Sequence, residues 1–205
     1  MLFGWQVILS GLYFLPVSPL VLASASPRRL DLLQAAGWEV IAAPSGADEI
    51  ECDSHSPAEL SLTNARLKWA AVSPSYAKHT VIAADTVVWM EGRFFAKPVD
   101  RAHAERMLKT LVGRTHQVVT GVVAGTSGVQ PAEFFDVSFV TFHPLDDGQI
   151  RSYLDTINPL DKAGAYSAQD DDGKLIARIE GSRTNVIGLP MEKLAEFFRL
   201  TCKQA

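Results

Sequence analysis

Ser24-Ala25-Ser26-Pro27-Arg28-Arg29 lies between an apolar run at residues 20–23 and an amphipathic segment at 30–37. The pattern predicts a strand that stops, a hydroxyl-rich turn, and a helix that starts. Pro27 suits a first helical position because its missing N–H is not needed there, Ser26 is a capping residue, and Leu30 and Leu33 give the helix an inward face. A helix N-terminus beside two serines and two arginines is a place for an anion. Unpaired backbone N–H groups and the positive dipole end attract phosphate, and a guanidinium adds a permanently charged, bidentate clamp. An ordinary capped helix with two solvated arginines has the same local sequence, so the rest of the chain must decide.

Working outward, residues 38–43 read as a strand ended by Pro44-Ser45-Gly46, which sets Asp48 and Glu49 just past it. Pro57 opens a helix over 57–72, with Leu60, Leu67 and Ala71 on one stripe and Asn64 and Lys68 beside it at i, i+4 spacing. Residues 80–84 form a continuous apolar run fit for a buried strand, and Asp85-Thr86 follows directly. In open α/β sheets ligands gather beyond the carboxyl ends of strands, so Asp85 there is a candidate for chemistry. Residues 87–96 suggest a hairpin turning at Glu91-Gly92 that delivers Lys97-Pro98.

Asp100 caps a helix to 112, residues 117–124 and 134–142 read as an antiparallel strand pair, and Asp146 caps a helix to about 156. The stretch 161–169, starting at Asp161, is too small and polar for a core strand and reads as a loop that touches something. A strand at 174–180 and a last helix after Gly188-Leu189-Pro190, with Leu194, Phe197, Phe198 and Thr201 on one face, complete the chain. The five histidines show no nucleophile pairing: His103 falls in a helix and His116 in a strand, the setting of a satisfied or solvated imidazole.

Composition narrows the class. A formal charge of -4 argues against binding a nucleic-acid polymer, so an anion must be met by local basic residues and the partner is a small phosphorylated molecule. Cys52 and Cys202 stand far apart without metal-ligand spacing, which fits a reducing cytoplasm. Residues 1–18 are apolar and uncharged, but no basic residue precedes the run, and Gly4, Gly11 and Pro16 interrupt it. They read as an extension outside a single domain at 19–205, with membrane attachment disfavoured.

The motifs SASPRR at 24–29, ADTVV at 84–88, KP at 97–98, GRTHQVVTGV at 113–122, DKAGAYSAQ at 161–169 and GLP at 188–190, in this order, resemble the Maf family of nucleoside triphosphate pyrophosphatases. The resemblance implies an α/β fold shared with inosine triphosphate pyrophosphatases: a mixed twisted central sheet flanked by helices, in two lobes with a cleft. It implies hydrolysis between the α and β phosphates to a monophosphate and pyrophosphate, with Mg²⁺ or Mn²⁺ as cofactor and a homodimer as a plausible assembly. By the same likeness Asp85 matches the proton acceptor, Ser24, Arg29, Lys68 and Lys97 match phosphate-binding positions, and Glu49 with Asp85 lies near the metal. Three positions that follow substrate choice read Arg28, Thr86 and Gln169, which looks like the subgroup acting on dTTP and UTP. Ser167-Ala168 before that glutamine departs from the Gly-Ile common in the family. Two alternatives remain open: a nucleotide-binding regulator of septum formation without turnover, and a purine-directed enzyme acting on ITP or XTP.

Overall fold

The computed structural model describes residues 19–51 and 55–201. The apolar extension at 1–18 and both cysteines lie outside the described residues. The chain runs β1 (Leu20–Leu22), α1 (Pro27–Ala35), β2 (Val40–Ala42), α2 (Pro57–Val72), β3 (Val81–Met90), β4 (Arg93–Phe94), α3 (Arg101–Leu111), β5 (Thr115–Gly125), β6 (Ala132–Phe142), α4 (Asp147–Leu154), β7 (Ile176–Glu180), α5 (Arg183–Ile187) and α6 (Met191–Thr201).

Among the described residues seven strands form one mixed sheet in the order β2-β1-β3-β5-β6-β7, with β4 paired to β3 off this path. The short strands β1 and β2 are parallel to each other, and β1 is parallel to the start of β3, whereas β3, β5, β6 and β7 pair antiparallel. The expected α/β sheet with flanking helices is therefore present. Its two largest apolar clusters are built on the same long strands. One gathers Met90, Phe95, Leu108, Phe142 and Ile150, and the other gathers Leu22, Leu33, Ile82, Val122 and Leu194. Between them β3 and β5 carry a polar interruption, Asp85-Thr86 opposite Gly121 and Thr120.

That interruption corrects the placement of Asp85. It is not the residue after a strand; it is the fifth residue of the ten-residue β3, whose pairing with β5 continues from Val81 to Trp89. What ends there is β1, whose register with β3 stops at Leu22 and Ile82. Asp85 still lies beyond a carboxyl end, but that end belongs to its parallel neighbour. The Glu91-Gly92 turn is as expected, a two-residue hairpin with both φ values positive, 52° and 79°.

Helix α2 has the predicted limits, set by a capping box in which the Ser56 hydroxyl accepts from the Glu59 N–H and the Glu59 carboxylate accepts from the Ser56 N–H. Its inward face differs from the predicted stripe. Leu67 and Ala71 are exposed, and Leu60, Ser61, Asn64, Ala65, Lys68 and Val72 face the sheet. Polar residues turn inward because this helix borders a cavity rather than a sealed core. Helix α1 begins at Pro27 as read, yet the Ser26 hydroxyl makes no capping bond; instead the Ser26 N–H donates to Ser24 Oγ at 3.1 Å. Leu33 is fully buried and Leu30 packs at the edge of the same core. The stretch 161–169 is a loop, but a buried one from Gly164 to Ala168, and the five-residue α5 had no counterpart in the sequence reading.

Candidate active site

The corner between β1 and α1 is organised by Arg29, which is buried. Its Nε donates to the Gly188 carbonyl at 2.8 Å, Nη1 to Ser24 Oγ at 3.1 Å and Nη2 to Thr86 Oγ1 at 3.1 Å. A guanidinium has five N–H groups, so the protein holds it in one plane and leaves two donors for another acceptor. Burial draws Arg29 below its ordinary value, and Arg28 adds to that, while the carboxylates of Asp85 and Glu49 oppose it. A buried cation with donors to spare is a site for an anion.

Facing this corner, Asp85 is buried between two donors from α2. Lys68 Nζ lies 2.6 Å from Asp85 Oδ1, and Asn64 Nδ2 donates to Oδ2 at 3.2 Å. Lys68 also bridges to Glu49 Oε1 at 2.7 Å, and Lys97 Nζ stands 3.9 Å from Glu49 Oε2. Asn64 fastens the Glu49 loop as well, accepting from the Ile50 N–H at 2.8 Å and donating to the Ile50 carbonyl at 3.2 Å. Burial alone would raise Glu49, but the hydrogen bond and charge of Lys68, backed by Lys97 and Arg29, hold it below the ordinary carboxylate range.

The approach of α2 depends on Gly121, the cross-strand neighbour of Asp85. Opposed residues of an antiparallel pair share a face, so Gly121 and Asp85 both look toward α2. A Cβ on Gly121 would fall 2.6 Å from the Leu62 nitrogen and from the Ser61 carbonyl carbon. Only a residue without that atom lets the helix backbone lie this close to the sheet.

Ser24, Arg28, Arg29, Glu49, Lys68, Asp85, Thr86 and Lys97 all border one cavity of about 760 Å³. The serine-arginine corner and the Asp85 carboxylate thus share one hollow. Arg28 is tied to the loop after α4, donating to Asp161 Oδ2 at 2.9 Å. Gln169 is exposed and not on the cavity wall; its amide sits 3.4 Å from Asp31 Oδ2. Asp48 is also off the wall. Sequence reasoning did not assign the partners that fix these groups, namely Asn64 for Asp85, and Thr120 and the Gly188 carbonyl for the arginine corner. The signal for the last two was present in the motifs at 113–122 and 188–190.

The cations of Arg28, Arg29, Lys68 and Lys97, the Ser24 hydroxyl and the carboxylates of Glu49 and Asp85 around one hollow suit a polyphosphate and the transfer of a proton beside it. Residues 19–201 match the family model described as Maf-like protein. The chain belongs to the Maf family. This Maf chain is 44% identical over 177 residues to a Symbiobacterium thermophilum protein named dTTP/UTP pyrophosphatase, a match covering 86% of this chain and 91% of the relative. A protein of the same name from Carboxydothermus hydrogenoformans is 43% identical, with 84% and 93% covered. Among solved structures, the Ham1 protein of Staphylococcus aureus shares the Maf chain's fold at a TM-score of 0.53 and 19% identity, over 89% of this chain and 98% of that one. No helix among the described residues is long and apolar enough to cross a membrane.

Proposed function

We propose that this Maf protein hydrolyses dTTP and UTP at the α–β phosphate bridge, releasing the nucleoside monophosphate and pyrophosphate, as a cytoplasmic house-cleaning enzyme for pyrimidine nucleotides, modified ones included. The observation that carries the proposal is the placement of Asp85 and Arg29 on one cavity, each buried and each held by donors or acceptors with capacity to spare. The names of the relatives supply the substrate class. In this reading Arg29, Ser24, Lys68 and Lys97 hold the phosphate oxygens. Asp85 orients the attacking water and takes its proton as the bond to the bridging oxygen breaks. Arg28, Thr86 and Gln169 stand at the positions associated with base choice.

A divalent cation, Mg²⁺ or Mn²⁺, belongs to the proposal. Among the described residues no three His, Cys, Asp or Glu side chains gather as a metal cage. Asp85 and Glu49, both paired to Lys68, are the residues that would hold the cation, since their hard carboxylate oxygens suit such an ion. When bound it would neutralise phosphate charge. The test is a panel of triphosphates assayed with Mg²⁺ and with identified products. Pyrophosphate should appear fastest from dTTP and UTP, and Asp85→Asn should bind substrate but turn over at least about 100-fold more slowly. Preference for ITP or XTP, saturable binding without product, or wild-type kcat in Asp85→Asn would each refute it.

A further inference from the structure

Thr120 is fully buried in β5 and forms no part of the cavity wall, yet its hydroxyl belongs to a chain of hydrogen bonds that ends on the anion corner. Its single proton goes to the Asn185 carbonyl at 3.0 Å. The Thr86 and Thr120 hydroxyls lie 2.9 Å apart, and Thr120 has no second proton to give, so Thr86 must be the donor between them. With its proton so committed, Thr86 turns lone pairs to Arg29 and accepts from Nη2 at 3.1 Å. The chain has one direction: Arg29 to Thr86 to Thr120 to the Asn185 carbonyl. Its far end is anchored, because Asn185 is fully buried and its Nδ2 donates to the Val118 carbonyl at 3.0 Å and to Ser138 Oγ at 2.9 Å.

We propose that Thr120 is a positioning residue for the triphosphate: by fixing the order of protons it locks the Arg29 guanidinium and keeps two of its N–H groups available to phosphate. The inference rests on the proposed activity only in naming the triphosphate as the anion. Its effect falls on the phosphate end, which every nucleotide shares, and not on the base. Thr86, proposed above among the base-choice positions, also reaches the phosphate end, because its hydroxyl accepts from Arg29.

The test uses the full chain with Thr120→Val, which keeps the shape and removes the hydroxyl, and Thr120→Ser, which keeps the hydroxyl. Titration with inorganic tripolyphosphate should show about 10-fold weaker binding in the valine variant, the scale of one charge-assisted hydrogen bond, and recovery to within about 2-fold in the serine variant. KM for dTTP and for UTP should rise by a common factor. Thr86→Val combined with Thr120→Val should be no weaker than Thr86→Val alone, since the two act in series. Should the valine variant fail to fold, Thr120→Cys, a weak hydrogen bonder of similar size, carries the same expectation. Wild-type tripolyphosphate affinity in Thr120→Val, equal losses in Val and Ser, or a loss that depends on the base would overturn the relay. Absence of pyrophosphate release by the wild type would remove the proposed activity alone, because tripolyphosphate binding reads the relay without turnover.

Discussion

His116 should make the fold sensitive to mild acid. The ring is buried in β5, its Nε2 lies 3.0 Å from the Tyr166 hydroxyl, and its Nδ1 meets no partner among the described residues. The rings of Phe142 and Tyr166 stand 4.7 and 5.4 Å away. An imidazolium needs two acceptors and finds at most one here, so burial pushes the His116 pKa down to about 4, against 6.5 when unfolded. Between those values the folded state binds fewer protons than the unfolded state, so stability falls as pH falls. The contribution is present in full above the unfolded value and is lost toward the folded one. From about pH 7.5 to about pH 5 the linkage amounts to about 2 kcal/mol. Urea unfolding at both pH values reads it directly. His116→Gln, whose amide can still meet Tyr166 but does not titrate, should lose about 2 kcal/mol less than wild type over that interval. Equal losses in the two proteins would refute the reasoning, whatever the absolute stabilities.

Three further outcomes follow from the site. Gly121→Ala should destabilise by about 2–3 kcal/mol, seen as a lower Tm, because the clash at 2.6 Å is with helix backbone that cannot rotate away; pyrophosphate release should fall with it as Lys68 and Asn64 retreat from Asp85. Gly188→Ala should cost about 1–2 kcal/mol, since φ there is +129°, and should raise KM, because the new Cβ would sit 3.4 Å from Arg29 Nε and the carbonyl that holds Arg29 belongs to the same residue. EDTA should abolish turnover, with recovery on adding Mg²⁺ or Mn²⁺, and should leave Tm unchanged, because the two carboxylates at the site are too few to hold the ion without the triphosphate.

The elements legible in the sequence were those whose signals are local. Pro27, Pro57, Asp100 and Asp146 mark helix starts by their own chemistry, and the Glu91-Gly92 turn by its need for positive φ. Where a limit depends on a distant partner, local signals misled. The apolar run at 80–84 and the turn at 91–92 each look like the bound of a separate strand, and only nine pairs with β5 make them one. Helix α5, at five residues, is too short to show periodicity. The stripe chosen for α2 assumed that apolar residues face inward, so it placed Leu67 where Lys68 belongs.

The inward turn of Lys68 and the burial of Asp85 in mid-strand have one physical origin. A lysine and an asparagine are admitted to the sheet side of α2 because the sheet meets them there with a carboxylate, not with a valine. The carboxylate is tolerated in mid-strand because the helix brings it a cation and an amide. Neither half is stable without the other, and Gly121 sets the spacing at which they meet. In sequence the three parts lie at 64–68, 85 and 121, and each alone looks like an ordinary surface lysine, a strand-end aspartate or a weak point in a strand. The site becomes readable only through the register of β3 on β5, which sets Asp85 and Gly121 side by side under the helix.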